Sequence, residues 1–312
     1  MKGLELSKQF YLEYGAPMLK DFPELLNKIA IGLIGSGSEC FGYDDEISQD
    51  HDFEPGFCIF LPDEAEVDSK SEFLLERAYL KLPKEYMSYK RSNVNPVGGS
   101  RHGVIRMSDF FREKTGTENG DIVAMQWFYI SEQALLEATN GEVFYDGLGK
   151  LTEIRKKLAY LPEDVRLKKL AGNLLLMAQA GQYNYNRCAK RGETGGAQLS
   201  IFEFVNATLK VIFLLNKRYI PYYKWTFHAL KELPILSHLS NELEYLISSP
   251  NDEKSADVKK EIIERISLEI INELKNQELT RKDSTELECH AYSVNDRIKS
   301  PNIRNLNVLF AV

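Results

Sequence analysis

The sequence predicts an α+β protein: a small mixed β-sheet with flanking helices over residues 1–150, followed by an all-α helical domain over 151–312. Three observations carry that expectation. Short apolar runs with β-branched residues, "IAIGLIG", "FEPGFCIFLP" and "VIRM", are confined to the first half. Beyond Leu151 the β signals fade and long helical patterns such as "EDVRLKKLAGNLLLMAQAG" take over. Charge divides at the same place. Residues 1–150 hold 15 Lys/Arg against 26 Asp/Glu, a net of −11 that leaves +4 for the remainder.

Residues 4–15 and 22–29 have helical spacing, and the second segment runs into the strand "IAIGLIG". A polar stretch follows, then the alternating "FEPGFCIFLP" as a second strand, a helix over 71–80, the Gly-rich turn "NPVGGSRHG", and "VIRM" as a third strand. Two glycines in "DGLGK", residues 146–150, mark the junction between the halves. In the second half, "IFEFVNATLKVIFLLNK" is interrupted by Glu203, Asn206 and Lys210. It therefore lacks the roughly 18 unbroken apolar residues of a membrane span and reads as a buried helix. In "ADVKKEIIERISLEIINELKNQ", Val258, Ile262, Ile266, Ile270 and Leu274 recur every fourth residue and are expected to form one buried stripe.

Composition narrows the function classes. Cys40, Cys58, Cys188 and Cys289 form no CxxC pair, so neither a zinc site nor a disulfide framework is expected, and the thiols read as mostly buried. The N-terminal "MKGLELSKQFYLEYG" has no apolar signal core, which gives a cytoplasmic expectation. The acidic first half would repel a polyanion, so nucleic acid is not an expected partner, and without an unbroken apolar span neither is a membrane. Between residues 155 and 224 there are 13 Lys/Arg and 4 Asp/Glu, either a phosphate-attracting surface or a solvated helix face.

The chemistry concentrates in "GSGSECFGYDDEISQDHDF", residues 35–53. A strand ending in Gly-Ser leaves backbone N–H groups free at its tip, and glycine lets a ligand approach that backbone closely. Asp50 and Asp52, one residue apart at the expected start of the next strand, would point to one face. Two carboxylates aimed together repel unless a cation lies between them, and hard oxygen ligands suit Mg²⁺ bridging to phosphates. Alternatively Asp44, Asp45, Glu46, Asp50 and Asp52 merely solubilise a loop. His51, between the two aspartates, reads as a packing residue.

The order of apolar strand, Gly-Ser, Asp-x-Asp and second strand resembles the signature of the nucleotidyltransferase superfamily, whose small-molecule members include the aminoglycoside nucleotidyltransferases. "SGSECFGYDDEISQDHDFEPGFCIFLP", "TNGEVFYDGLG", "DVRLKKLAGNLLLMAQAGQYNYNRCAKRGE" and "LLNKRYIPYYKW" are together similar to an uncharacterised bacterial family, catalogued as a domain of unknown function, with a nucleotidyltransferase-like domain before a helical one. The likeness runs to about Leu236. It implies Gly37 and Ser38 as the phosphate turn and Asp50 and Asp52 as Mg²⁺ ligands and catalytic residues. It also implies ATP or GTP as donor and transfer of a nucleoside monophosphate to a small hydroxylated acceptor. Active superfamily members add a third carboxylate from a later strand, and "HGVIRM" has none, Asp109 being the nearest. A nucleotide-binding regulatory protein with a degenerate site is therefore the alternative. From the second half, Arg187 and Arg191 in "NRCAKRG", together with Lys224 in "PYYKW", are expected to meet the triphosphate, with the ligand cleft between the domains. Tyr222, Tyr223 and Trp225 are expected in the core.

Overall fold

The structure, a computed structural model, describes residues 1–47, 54–91 and 102–312. Asp50, His51 and Asp52, and most of "NPVGGSRHG", lie outside the described residues. The chain forms two compact units, Met1–Val123 with Ile130–Ala159, and Ala124–Tyr129 with Tyr160–Val312.

In the first unit, β1 (Ala30–Leu33) and β2 (Cys58–Leu61) are buried at every position, as continuous apolar strands covered on both faces are. The expected alternation of "FEPGFCIFLP" is therefore not the pattern of a half-exposed strand. A small hairpin, β3 (Glu85–Tyr86) with β4 (Tyr89–Lys90), stands apart. β5 (Gly103–Arg106) is the expected third strand. β6 (Glu142–Asp146) was not foreseen, because five residues with Val143, Phe144 and Tyr145 in a row do not alternate. Pairing to β1 makes it a strand.

The sheet order is β5-β2-β1-β6. β1 runs antiparallel to β2, with Gly32 opposite Cys58, and antiparallel to β6, with Leu33 opposite Glu142. β2 runs parallel to β5, with Cys58 opposite Gly103. The C-terminal end of β1 and the N-terminal ends of β2, β5 and β6 thus share one end of the sheet. On one face pack Phe10, Tyr11, Ile31, Phe57, Ile59 and Tyr79. The N-terminal helix Gly3–Phe10 continues through a wider π-helical turn, Tyr11–Gly15, into Ala16–Leu19. Gly15 permits this path, since a Cβ there would lie 2.4 Å from the Phe57 ring.

Asp44 is no solubilising residue. It is buried, its Oδ2 accepts the Gly3 N–H at 2.7 Å, and the Lys2 ammonium lies 3.6 Å from Oδ1. A carboxylate there satisfies an orphan donor of the first helix and complements its dipole.

The second unit is helical. Glu163–Met177 packs against Thr194–Leu215 and Leu287–Asn295. Thr194–Leu215 is long and apolar enough to cross a membrane, with mean hydropathy 1.5, yet 61% of that window is buried inside the protein, in keeping with the buried-helix expectation. In Glu253–Asn276, Ile262, Ile266, Ile270 and Leu274 are buried, but Val258 is 44% exposed. A strict spacing of four drifts around a helix of 3.6 residues per turn, so the stripe cannot stay on one face for its whole length. Ile263 and Ile271 complete it instead. Cys40 and Cys58 are buried, Cys188 is half-buried, and Cys289 is exposed, so half of the thiols rather than most are buried.

Two buried cations tie this unit together. Lys168 donates to Asn295 Oδ1 and to the carbonyls of Arg304 and Leu306 at 2.8, 3.1 and 2.6 Å, and burial lowers its pKa. Arg166 donates to the Leu214 carbonyl at 3.2 Å and to both Glu163 oxygens at 2.9 and 2.6 Å. Those bonds hold the Glu163 carboxyl below its ordinary value. Its folded pKa being the lower one, Glu163 contributes fully above about pH 4.5 and loses its contribution as pH falls through the folded value. Glu163 is itself half exposed, so screening limits the effect to about 1 kcal/mol or less. Urea unfolding from pH 3 to 7 is expected to show Glu163→Gln less stable than wild type near neutrality, with the gap closing in acid.

Candidate functional site

The sequence places "IGSGS" at the end of β1, and local geometry turns it into an open loop. Gly35 and Gly37 both have φ of 119°, a conformation that residues with a Cβ rarely adopt. The chain then enters the single turn Ser38–Phe41 and leaves through Gly42 at φ 74°. Among the described residues, the N–H groups of Gly37 and Ser38 donate to no acceptor. Both residues are partly exposed.

This turn is held from behind by residues that sequence reasoning missed. Asn140 grips the Gly35 peptide twice, accepting its N–H at 2.9 Å and donating to its carbonyl at 2.7 Å. Arg155, largely desolvated, fixes the grip by donating one nitrogen to the carbonyls of Thr139 and Asn140 at 2.6 and 2.5 Å. Next to Asn140, the Gly141 N–H donates to the Cys40 carbonyl at 2.9 Å. Gly141 itself has φ 61°, and a Cβ on it would fall 2.0 Å from the Leu33 carbonyl. The available signal was "TNG", a turn tripeptide before a short strand; its partner across 105 residues has no local signature.

The same end of the sheet carries a carboxylate. Glu54, at the entry to β2, lies 3.3 Å from His102 at the entry to β5, both side chains being mostly buried. His102 packs so closely on Gly56 that a Cβ there would meet its ring at 2.6 Å. Glu54 continues the alternation of Asp50 and Asp52 by two residues, a signal present in "DHDFE". β5 itself ends in Arg106, which donates to Glu72 and to the carbonyls of Pro62 and Val67. Asp109 is surface-exposed and paired with Arg112 at 2.6 Å.

Gly37 and Ser38 are thus brought together in the first unit, and Asp50 and Asp52 lie outside the described residues. Arg187, Arg191 and Lys224 belong to the second unit, and all three are exposed. Arg187 lies within the short helix Asn186–Lys190 and Arg191 caps its end, with the Arg187 guanidinium 4.4 Å from the Tyr183 ring. Lys224 lies in the first turn of a separate helix, Tyr223–Lys231, with its ammonium 5.1 Å from the Trp225 ring. The expectation of core packing for the aromatics fails at Tyr222 and Tyr223, which are 42% and 76% exposed. Thr226, Ala229 and Leu230 form the buried face of that helix.

A family model described as a domain of unknown function (DUF4037) matches residues 127–226, about a third of the chain. Its range takes in Asn140, Arg155, Arg187, Arg191 and Lys224, and leaves out the Gly-Ser turn. No curated protein matches the chain.

Asn140→Ala removes both bonds to the Gly35 peptide and is expected to cost about 1–3 kcal/mol in urea unfolding. Gly141→Ala, strained in φ and in contact, should cost at least as much. Stability unchanged in both variants would show that this grip does not hold the turn.

Proposed function

We propose that the first unit binds a nucleoside triphosphate at residues 36–38 and transfers its nucleoside monophosphate to a hydroxyl of a small acceptor, releasing pyrophosphate. One observation carries the reading: two unspent N–H groups, Gly37 and Ser38, project from an open turn whose other side is locked to Asn140. Oriented N–H groups in a glycine-rich turn favour phosphate oxygens. The turn leaves β1 at the end of the sheet where β2 begins, and Asp50, Asp52 and Glu54 precede β2 in the sequence, which supports carboxylates acting beside the phosphate-binding backbone.

Mg²⁺ suits that donor set, and Asp50 and Asp52 would hold it, neutralising charge that builds at the phosphorus. The chain's own part is positional. The locked turn fixes the phosphates for in-line attack, which lowers the entropy lost on reaching the transition state. Glu54, in the segment just before β2, would supply the further carboxylate that β5 lacks, with His102 3.3 Å away to orient it.

The second reading, a nucleotide-binding regulator without turnover, is favoured by Arg106 standing where β5 could have carried an acidic side chain. Pyrophosphate release from ATP, GTP, CTP or UTP separates the two.

Binding itself is tested by unfolding with and without Mg-nucleotide. At a nucleotide concentration of about 100 Kd the wild type should gain about 2.7 kcal/mol. Asp50→Asn and Asp52→Asn should lose the Mg²⁺-dependent part of that gain while being neutral or slightly stabilising without ligand. An equal gain in all three proteins would return the acidic stretch to a solubilising loop. Glu54→Gln is expected to lower turnover at least tenfold with binding retained; unchanged turnover would remove Glu54 from the chemistry.

A further inference from the structure

The helical unit contains a cavity of about 670 Å³, lined wholly by residues of that unit. It lies where the start of Glu163–Met177, the ends of Thr194–Leu215 and Glu253–Asn276, and the turn after Leu287–Asn295 converge. The volume is that of a small-molecule site.

Its polar groups divide sharply into those already engaged and those not. The lining carboxylates are Glu163, Asp164 and Glu273, and each of their oxygens already accepts a hydrogen bond. Arg166 occupies both oxygens of Glu163. The Lys299 and Ser300 N–H groups occupy those of Asp164 at 3.0 and 2.8 Å. Gln277 and Asn276 occupy those of Glu273 at 2.7 and 3.3 Å. The lining cations Lys217, Arg297 and Lys299, by contrast, make no side-chain hydrogen bond or ion pair among the described residues. Lys217 and Lys299 are attracted to Glu163 without bonding to it, and four lining cations against three carboxylates leave the cavity a net +1 with its unbonded donors on the cations. Leu167, Leu215, Ile235 and Leu279 provide apolar wall for an organic body.

Lys217 adds an independent sign. Asn216 caps Thr194–Leu215, and Lys217 follows in the left-handed region at φ 51° while the Arg218 N–H closes back on the Phe213 carbonyl at 3.0 Å. This is the helix-terminating position where glycine is favoured. A lysine there, on a cavity rim, keeps an ammonium at the expense of backbone ease.

We infer that this cavity binds a small phosphorylated molecule, with Lys217, Arg297 and Lys299 on the phosphate and the apolar wall against its body. A phosphate dianion, with its several acceptor oxygens, matches three separate donors better than a single carboxylate does. The site is independent of the Gly-Ser turn.

The experiment is calorimetric titration of the full chain without Mg²⁺, using inorganic phosphate, glucose 6-phosphate and AMP, with citrate as the carboxylate comparison. At least one phosphate compound should bind, and more tightly than citrate. The double variant Arg297→Gln/Lys299→Gln should weaken that binding at least tenfold. Lys217→Gly should weaken it several-fold while raising Tm, because glycine relieves the left-handed backbone; a merely structural lysine would give the rise without the loss. No binding of any phosphate by wild type, equal binding by the variants, or citrate binding as tightly as the phosphates would each overturn the assignment.

Discussion

The first unit depends on one constraint: the backbone leaving β1 must turn sharply and still keep its N–H groups unspent. A turn normally satisfies itself through internal hydrogen bonds. This one closes on itself through bonds such as the Tyr43 N–H to the Ser38 carbonyl, and at Gly35 it is held by a side chain 105 residues away. Asn140 can do so only because β6 pairs with β1 in a register that sets Leu33 opposite Glu142. Gly141 must then pass almost in contact with the Leu33 carbonyl, and Arg155 must close the carbonyls that the passage leaves open. Sheet pairing, glycine geometry and a buried guanidinium are thus parts of one device, whose product is the pair of free amides at Gly37 and Ser38.

Much of this frame was legible in the sequence. β1, β2 and β5 announced themselves as short apolar runs, and the Gly-Ser turn stood where the chemistry of glycine required. The helical half was equally plain in its long periodic segments. What stayed hidden depends on contacts rather than on period. β6 becomes a strand by pairing, Asp44 changes from loop residue to helix partner by meeting Gly3, and Asn140 acquires its role from a residue over a hundred positions away. Val258 and the exposed Tyr223 mark the opposite error, where residue type and spacing suggested burial that the helix phase does not deliver.

The second unit shows how buried charge organises a helical bundle. Lys168 and Arg166 each satisfy several acceptors that no apolar residue could, and so fix which chain ends lie beside Glu163–Met177. Removing either donor would leave carbonyls unpaired in the interior, which costs more than the bond itself contributes. The same helix ends border the cavity, where the exposed cations have no such partners. Hydrogen-bonded cations in the interior and cations without hydrogen bonds at the rim separate what maintains the fold from what is available to a ligand.

The central claim is that the locked turn after β1 is the phosphate-binding element. Its most direct measurement is the amide spectrum of ¹⁵N-labelled protein titrated with Mg-ATP and Mg-GTP. The account predicts that the Gly37 and Ser38 amides shift with at least one of these nucleotides, that Gly35 shifts less because Asn140 already holds it, and that Asn140→Ala abolishes this difference between neighbours. Nucleotide binding that leaves Gly37 and Ser38 unmoved while amides elsewhere respond would contradict it.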